Sequence, residues 1–216
     1  MLTQFSDWLD LALEVFNQSN RRIIWNLFLA LIPLILSFWL FRPLKSPSWI
    51  WWAICLVFLA FLPNAPYILT DTIHIPEIMA RGYPLSVVLL VLIPQYVLFV
   101  WIGFQAYVIS LMRLDNYLIT QKQEKYLVWV NAASHGLCVL GIYLGRFERF
   151  NSWDLVTRPI YIFNTTFKDL LDLEKILVLA IAFLGLWGLS WIVKRGNKAA
   201  LAHYFRDSES IRSIFF

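Results

Sequence analysis

Apolar runs long enough to matter to a bilayer recur five times along the chain, separated by short charged stretches. A spanning helix needs about 20 mostly apolar residues. The first run covers 23–41, entered through Arg21-Arg22 and left through Arg42-Pro43. The second covers 49–69. It is clean from Trp49 to Leu62, then meets Pro63-Asn64-Ala65-Pro66 before Tyr67-Ile68-Leu69. Its clean part is short for a span. Either the loop before it contributes, or the helix ends or bends at Pro63 while still near the membrane. The third run, 85–112, is long and contains Pro94, which predicts a tilt or bend there. The fourth covers 126–145 and the fifth 176–193, each stopped by flanking charges.

Ahead of the first run, Phe5, Trp8, Leu9, Ala12, Leu13 and Phe16 recur at three- and four-residue spacing, with Asp7, Asp10 and Glu14 between them. The pattern predicts an amphipathic helix, either lying in the membrane interface or forming an extra polar turn. The expected fold class is therefore all-α: a multi-pass transmembrane bundle of about five spans plus this interfacial helix, in one domain over 1–216.

Composition agrees. Sixty per cent of the 216 residues are hydrophobic, 15% are charged, and the mean hydropathy is +0.65. Soluble domains carry about 25% charged residues. A water-soluble globule, a disordered tail and a nucleic-acid module are excluded. Cys55 and Cys138 lie in apolar runs and read as small core residues, too few for a disulfide framework. The amphipathic, acidic N-terminal stretch does not look like a cleavable leader.

The net charge of +4 is a topology signal. Five spans place the termini on opposite sides. The N-tail, the 63–84 loop and the 146–175 loop carry eight Lys and Arg in 74 residues. The 42–48 loop, the 113–125 loop and the C-tail carry ten in 43. The denser side is expected to be cytoplasmic, which puts the N-terminus out and the C-terminus in. Whichever way the chain inserts, the 63–84 and 146–175 loops share a side.

Polar groups inside apolar runs are expensive, so their positions are informative. Asn131, Ser134, His135, Cys138, Gly141 and Gly145 fall on one face of the fourth span. That face is expected to pack against other helices, with Gly141 and Gly145 allowing close approach. His135 is either a hydrogen-bonded packing residue or part of a ligand or proton site. After the second span, Thr70, Asp71, His74 and Glu77 come at helical spacing, which would align Asp71 with His74. A carboxylate and an imidazole could act as acid and base or hold a metal, or simply cap a solvated loop. No metal-binding motif is present, and neither a metal nor a cofactor is expected.

Arg146 and Arg149 begin where the fourth span reaches the interface, three apart on an expected helical extension that carries Arg149 on the polar face. Forked guanidiniums among Phe147, Phe150 and Trp153 suit a lipid phosphate, or ordinary interfacial anchoring. Asn151 or Ser152 reads as the cap of a helix restart near Asp154. Lys168, Asp169, Asp172, Glu174 and Lys175 read as a solvated approach to the fifth span. Gln95 and Gln105 read as separate packing contacts.

Leu62-Pro63-Asn64-Ala65-Pro66-Tyr67 with Thr70-Asp71 and His74, and Gly141-Ile142-Tyr143-Leu144-Gly145-Arg146-Phe147 with Asn151-Ser152-Trp153-Asp154, resemble the two signature stretches of domain of unknown function 1361, a bacterial integral-membrane family. The resemblance runs from the first span to the fifth. It implies a multi-pass protein of the bacterial inner membrane and brings no reaction, substrate or catalytic residue.

The leading functional expectation is a polar site at one membrane face between the 63–77 and 146–154 segments. Asn64, Arg146, Arg149 and Asp154 would bind there, and Asp71 and His74 would lie beside the two arginines. The partner would be a membrane lipid or another membrane protein, not a nucleic acid. One alternative is an intramembrane enzyme using Asp71, His74 or His135 as acid, base or metal ligands on a lipid-soluble substrate. A small transporter is the other.

Overall fold

The structure, a computed structural model, describes residues 2–42, 47–150 and 154–205. Every regular element among them is helical. Five stretches are long and apolar enough to cross a membrane: Gln4–Leu40, Trp49–Met79, Leu85–Thr120, Glu124–Arg146 and Leu173–Tyr204. The protein is a multi-pass helical membrane protein, as its hydropathy requires.

Helix α1 (Leu2–Leu40) is continuous through 39 residues, with Pro33 inside it. The N-terminal amphipathic stretch is thus not a separate interfacial helix but the opening turns of the first span. The reason is a partner that hydropathy alone does not show. Helix α6 (Ile93–Thr120) and the turns before it run alongside α1 and meet its polar positions one by one. Trp8 Nε1 donates to Ser86 Oγ at 3.0 Å, and the Tyr83 hydroxyl donates to Glu14 at 2.8 Å. That carboxylate pushes the Tyr83 phenol up from its ordinary pKa. Gln95 Nε2 donates to the Phe16 carbonyl and to Asn20 Oδ1, and Arg22 reaches the Tyr96 hydroxyl.

Helix α2 (Trp49–Phe61) starts at Ser48, whose hydroxyl accepts from the Trp51 amide. Trp51 Nε1 donates back to the Leu40 carbonyl at 2.9 Å, which joins α2 to the end of α1. From Leu62 the chain stays in right-handed helical dihedrals but changes hydrogen-bond register. It passes through α3 (Asn64–Tyr67), a 3₁₀ turn (Ile68–Ile73) and α4 (His74–Met79). A residue before proline is disfavoured in the helical region. Even so, Leu62 sits at φ −53°, ψ −40°, and Ala65 lies within α3. The proline effect appears as the end of α2 at Phe61, not as an extended turn.

The third span opens with α5 (Leu85–Val87), a π turn (Val88–Leu92) and then α6. Pro94 cannot donate to the carbonyl four residues back, and the ladder widens just before it, with the Ile93 amide reaching the Val88 carbonyl. The α6 helix then runs to Thr120, well past the expected end at Met112. A 3₁₀ turn (Glu124–Tyr126) leads into α7 (Leu127–Arg146). The short α8 (Asp154–Thr157) and α9 (Pro159–Asp169) precede α10 (Leu173–Phe205).

The core lies between α1 and α6 and under the 62–79 segment, where Leu62, Ala65, Ile68, Tyr96, Phe99 and Tyr107 are fully enclosed. Cys138 is buried there and Cys55 is half-buried, as expected of core residues. In contrast, α10 packs peripherally: 11% of its most apolar window is buried, against 28% for each of the first three spans.

Candidate functional site

Two prolines three apart leave the start of the 62–79 segment short of donors. The Leu62 carbonyl, which Pro66 cannot reach, accepts from the Ala65 amide at 3.2 Å. That shift leaves the Phe61 carbonyl without the Ala65 amide, and the Asn64 side chain donates to it instead at 3.1 Å. Asn64 was expected to bind a ligand. In the structure its amide nitrogen completes the backbone of its own turn.

The repaired segment packs where neighbouring helices have no side chain. A Cβ on Gly103 of α6 would stand 2.2 Å from Ile68 Cδ1. On Gly141 of α7 it would stand 2.5 Å from Pro63 Cβ, and on Gly145 it would stand 3.2 Å from Tyr67. The three glycines are the sockets for the segment. Consequently the two sequence signatures lie against each other: Pro63 on Gly141, Tyr67 on Gly145, and then Thr70 and Asp71 on Arg146.

Arg146 closes this seam. Its Nη2 donates to Asp71 Oδ1 at 2.9 Å and to Thr70 Oγ1 at 2.6 Å, and its Nε reaches Thr70 Oγ1 at 3.2 Å. The guanidinium carbon lies 4.9 Å from the Tyr67 ring centroid, a cation–π contact. Asp71, 3% exposed, also accepts from Asn26 Nδ2 of α1 at 2.5 Å. The carboxylate thus joins α1, the 3₁₀ turn and α7. All these contacts use the Nε–Nη2 edge of the guanidinium fork.

The other expected site residues fall elsewhere. His74 Nδ1 bonds Glu77 Oε2 at 2.8 Å, within its own turn of α4; its imidazole pairs with Glu77 instead of Asp71. Arg149 does not extend α7, which ends at Arg146. It is exposed and left-handed, at φ 56°, where the chain turns back and the Phe150 amide bonds the Leu144 carbonyl. Arg149 therefore lies outside the polar face of α7, and His74 outside the Asp71–Arg146 pair. Asp154 begins α8 and is partly buried. The expected cap at Asn151 or Ser152, and the aromatic Trp153, lie outside the described residues.

His135 is buried, 2% exposed, on the packed face of α7, as expected. Its Nδ1 faces the Asn131 carbonyl at 2.7 Å, so Nδ1 carries the proton and donates. Nε2 lies 2.6 Å from Ser190 Oγ of α10, a hydroxyl that also lies within donating distance of the Trp187 carbonyl, at 2.9 Å. Both ring nitrogens have a polar neighbour, and the ring sits between Tyr107, Phe183 and Trp187.

Sequence reasoning missed a second polar cluster. Asp115 of α6 accepts from Asn131 Nδ2 at 2.6 Å and from Lys194 Nζ at 2.7 Å, and Lys194 also donates to Asn131 Oδ1 at 2.8 Å. Beside it, the amides of Gln105 and Asn197 exchange bonds at 3.2 and 2.8 Å. Asp115 and Lys194 lie just beyond the apolar runs 85–112 and 176–193. Both helices continue past them, which brings the two together. Asn131 and Arg146 are fifteen residues apart on α7, roughly 22 Å at 1.5 Å per residue. The two clusters thus stand toward opposite ends of the bundle. Near the Arg146 end, Asp169 was read as solvated but is buried, taking Tyr143 at 3.2 Å and Lys175 at 2.5 Å.

Two apolar clefts flank the contact between α7 and α10. One, of 190 Å³, is walled by Pro66, Leu69 and Thr70 on one side and by Val139, Ile142, Leu186 and Leu189 on the others. The second, of 280 Å³, lies among Leu140, Leu170, Ile176 and Phe183. Among the described residues, no three His, Cys, Asp or Glu side chains converge as a metal site would require.

Residues 25–188 match the family described as protein of unknown function (DUF1361), and the chain belongs to that family. No curated protein and no solved structure matches it.

Proposed function

We propose that this member of the DUF1361 family binds an anionic membrane lipid at the end of the bundle where its two signature stretches meet. Arg146, with Arg149 beside it in sequence, would hold the phosphate. One acyl chain would lie in the cleft between the Pro66–Thr70 segment, α7 and α10. The supporting observation is the position of Thr70. Its hydroxyl accepts from Arg146, and its side chain also lines the 190 Å³ apolar cleft. A fixed cation therefore adjoins a groove of hydrocarbon character, the two halves of a lipid.

Two further features support the reading. Among the described residues, Asp71 and Thr70 hold the Nε–Nη2 edge of the guanidinium, and a planar fork can bind an anion along a second edge. Arg149 adopts a left-handed conformation that glycine would take without cost. A long cationic side chain at such a position suggests that the charge is needed there. The enzyme alternative has less support, because Asp71, His74 and His135 have three separate surroundings. The lipid would be one of the bacterial inner membrane. The Lys and Arg densities favour the Arg146 end facing outward.

The test is lipid retention. Native mass spectrometry of protein released from mild detergent should show one retained anionic phospholipid. Arg146→Ala and Arg149→Ala should each lower its occupancy several-fold, while Arg195→Ala, on α10, should not. Equal retention by all three variants would end the proposal.

A further inference from the structure

Helix α9 was not expected from hydropathy, since it lies in a loop with ten charged residues and is too short to span. Its faces differ sharply. Ile162 and Asp169 are buried, and Thr165 and Thr166 are partly so; all four lie on the side toward the bundle. Asp169 holds that side through Tyr143 of α7 and Lys175 of α10. Ile160, Phe163 and Phe167 fall within an arc of about 60° on the helix, and they are 75%, 69% and 56% exposed. Leu170 and Leu171, just past the helix end, are also exposed. Asn164 and Lys168 form a polar edge beside the apolar stripe, and Arg158 precedes the helix; all three are exposed.

We propose that α9 is an interfacial helix, lying along the membrane surface with Ile160, Phe163 and Phe167 in the boundary between headgroups and acyl chains. Three observations select a bilayer as the occupant of this face. Three residues join the end of α9 to the α10 span, and Asp169 bonds Tyr143 of α7 and Lys175 of α10, so the helix is held at the rim of the bundle. Its stripe leads through Leu170 into the 280 Å³ apolar groove between α7 and α10, where Leu140, Ile176 and Leu179 continue the hydrocarbon surface. Lys168 stands at its polar margin, and the exposed Arg158 precedes its first turn; cations so placed meet lipid phosphates. The stripe is therefore continuous with surface that is lipid-facing on any orientation of the spans. This inference does not depend on the Arg146 site, and its test reads a different part of the chain.

The experiment places single cysteines for spin labelling at Ile160, Phe163, Phe167, Asn164 and Lys168, in the full chain carrying Cys55→Ala. Cys138 is buried and stays. The protein is reconstituted in nanodiscs of phosphatidylethanolamine and phosphatidylglycerol. Accessibility to oxygen and to a water-soluble nickel chelate is then measured at each label. Labels at 160, 163 and 167 should show an oxygen-to-nickel ratio several-fold above those at 164 and 168. Water-like accessibility at all five positions would overturn the proposal. So would shielding of the stripe from both reagents, which would mean that a second copy or another protein covers it. The labelled sites are exposed, so the fold is not at stake; retained thermal unfolding of each variant confirms this.

Discussion

The two ends of the bundle solve the same problem differently. At one end Asp115, Asn131 and Lys194 bond one another in a closed ring, on three regular helices. At the other end Asp71 and Thr70 hold Arg146 by one edge, on a backbone broken by two prolines and beside an apolar cleft. A closed ring satisfies its members and leaves nothing to recruit a ligand. An arginine held by one edge among the described residues is positioned as the proposed lipid site requires. The comparison therefore sets a closed clamp against an ion pair at the place where binding is proposed.

The sharpest way to break this contrast is to open the clamp. Lys194→Met leaves the Asp115 carboxylate without its cation and should cost about 3–5 kcal/mol. Thermal unfolding in detergent should drop strongly, and the double variant Asp115→Leu, Lys194→Met should recover most of the loss. Failure of the double variant to recover would mean that the pair has a further task.

The seam comes next. A methyl group on Gly141 would stand 2.5 Å from Cβ of Pro63, whose ring is rigid, so Gly141→Ala should cost about 1–3 kcal/mol. Gly145→Ala meets the edge of a Tyr67 ring that can shift, and should cost less. Gly136→Ala meets nothing and should be neutral or slightly stabilising. An order other than 141, 145, 136 in unfolding temperature would contradict the packing described.

Asp71→Asn keeps the shape of the site but removes its charge. A loss of about 1–3 kcal/mol is expected from the charged hydrogen bonds. Lipid retention should survive or rise, because Arg146 is released. If stability falls and retention falls with it, the pair is structural at both ends of the molecule and the comparison collapses.

The smallest effect is the most diagnostic. Arg149→Gly should relieve the left-handed residue and stabilise the fold by about 1 kcal/mol, while lowering lipid occupancy. Such opposite signs in two readouts are the mark of a residue kept for function.

Much of the fold was legible in the sequence because hydropathy answers the membrane directly: five runs gave five spans. The packed face of α7 was legible too, since Asn131 and His135 could not face lipid without partners. Span ends were not. Charged residues such as Asp115 and Lys194 stop an apolar run on paper, but in space they neutralise each other and let helices α6 and α10 continue. The juxtaposition of Asp71 with Arg146 followed from loop parity and motif context. The place of His74 did not, because Glu77 three residues on is a nearer partner than any spacing rule implied. Arg149 was misplaced because nothing in its neighbours announces a left-handed residue. Helix α9 was hidden by its own charges: only the fold shows that Asp169 turns inward.

Helix α1 has a consequence for the order in which the protein can be made. Its polar side chains find their partners late: Asn26 waits for Asp71, 45 residues on, and Asn20 for Gln95, 75 residues on. When α1 leaves the ribosome none of these partners exists. The first span must either linger beside the insertion machinery or hold its amides in water until the third span arrives. Docking of α1 is thus an event of the third span's synthesis, not of its own. A ribosome stalled before Leu85 should carry a first helix that is made but not yet placed.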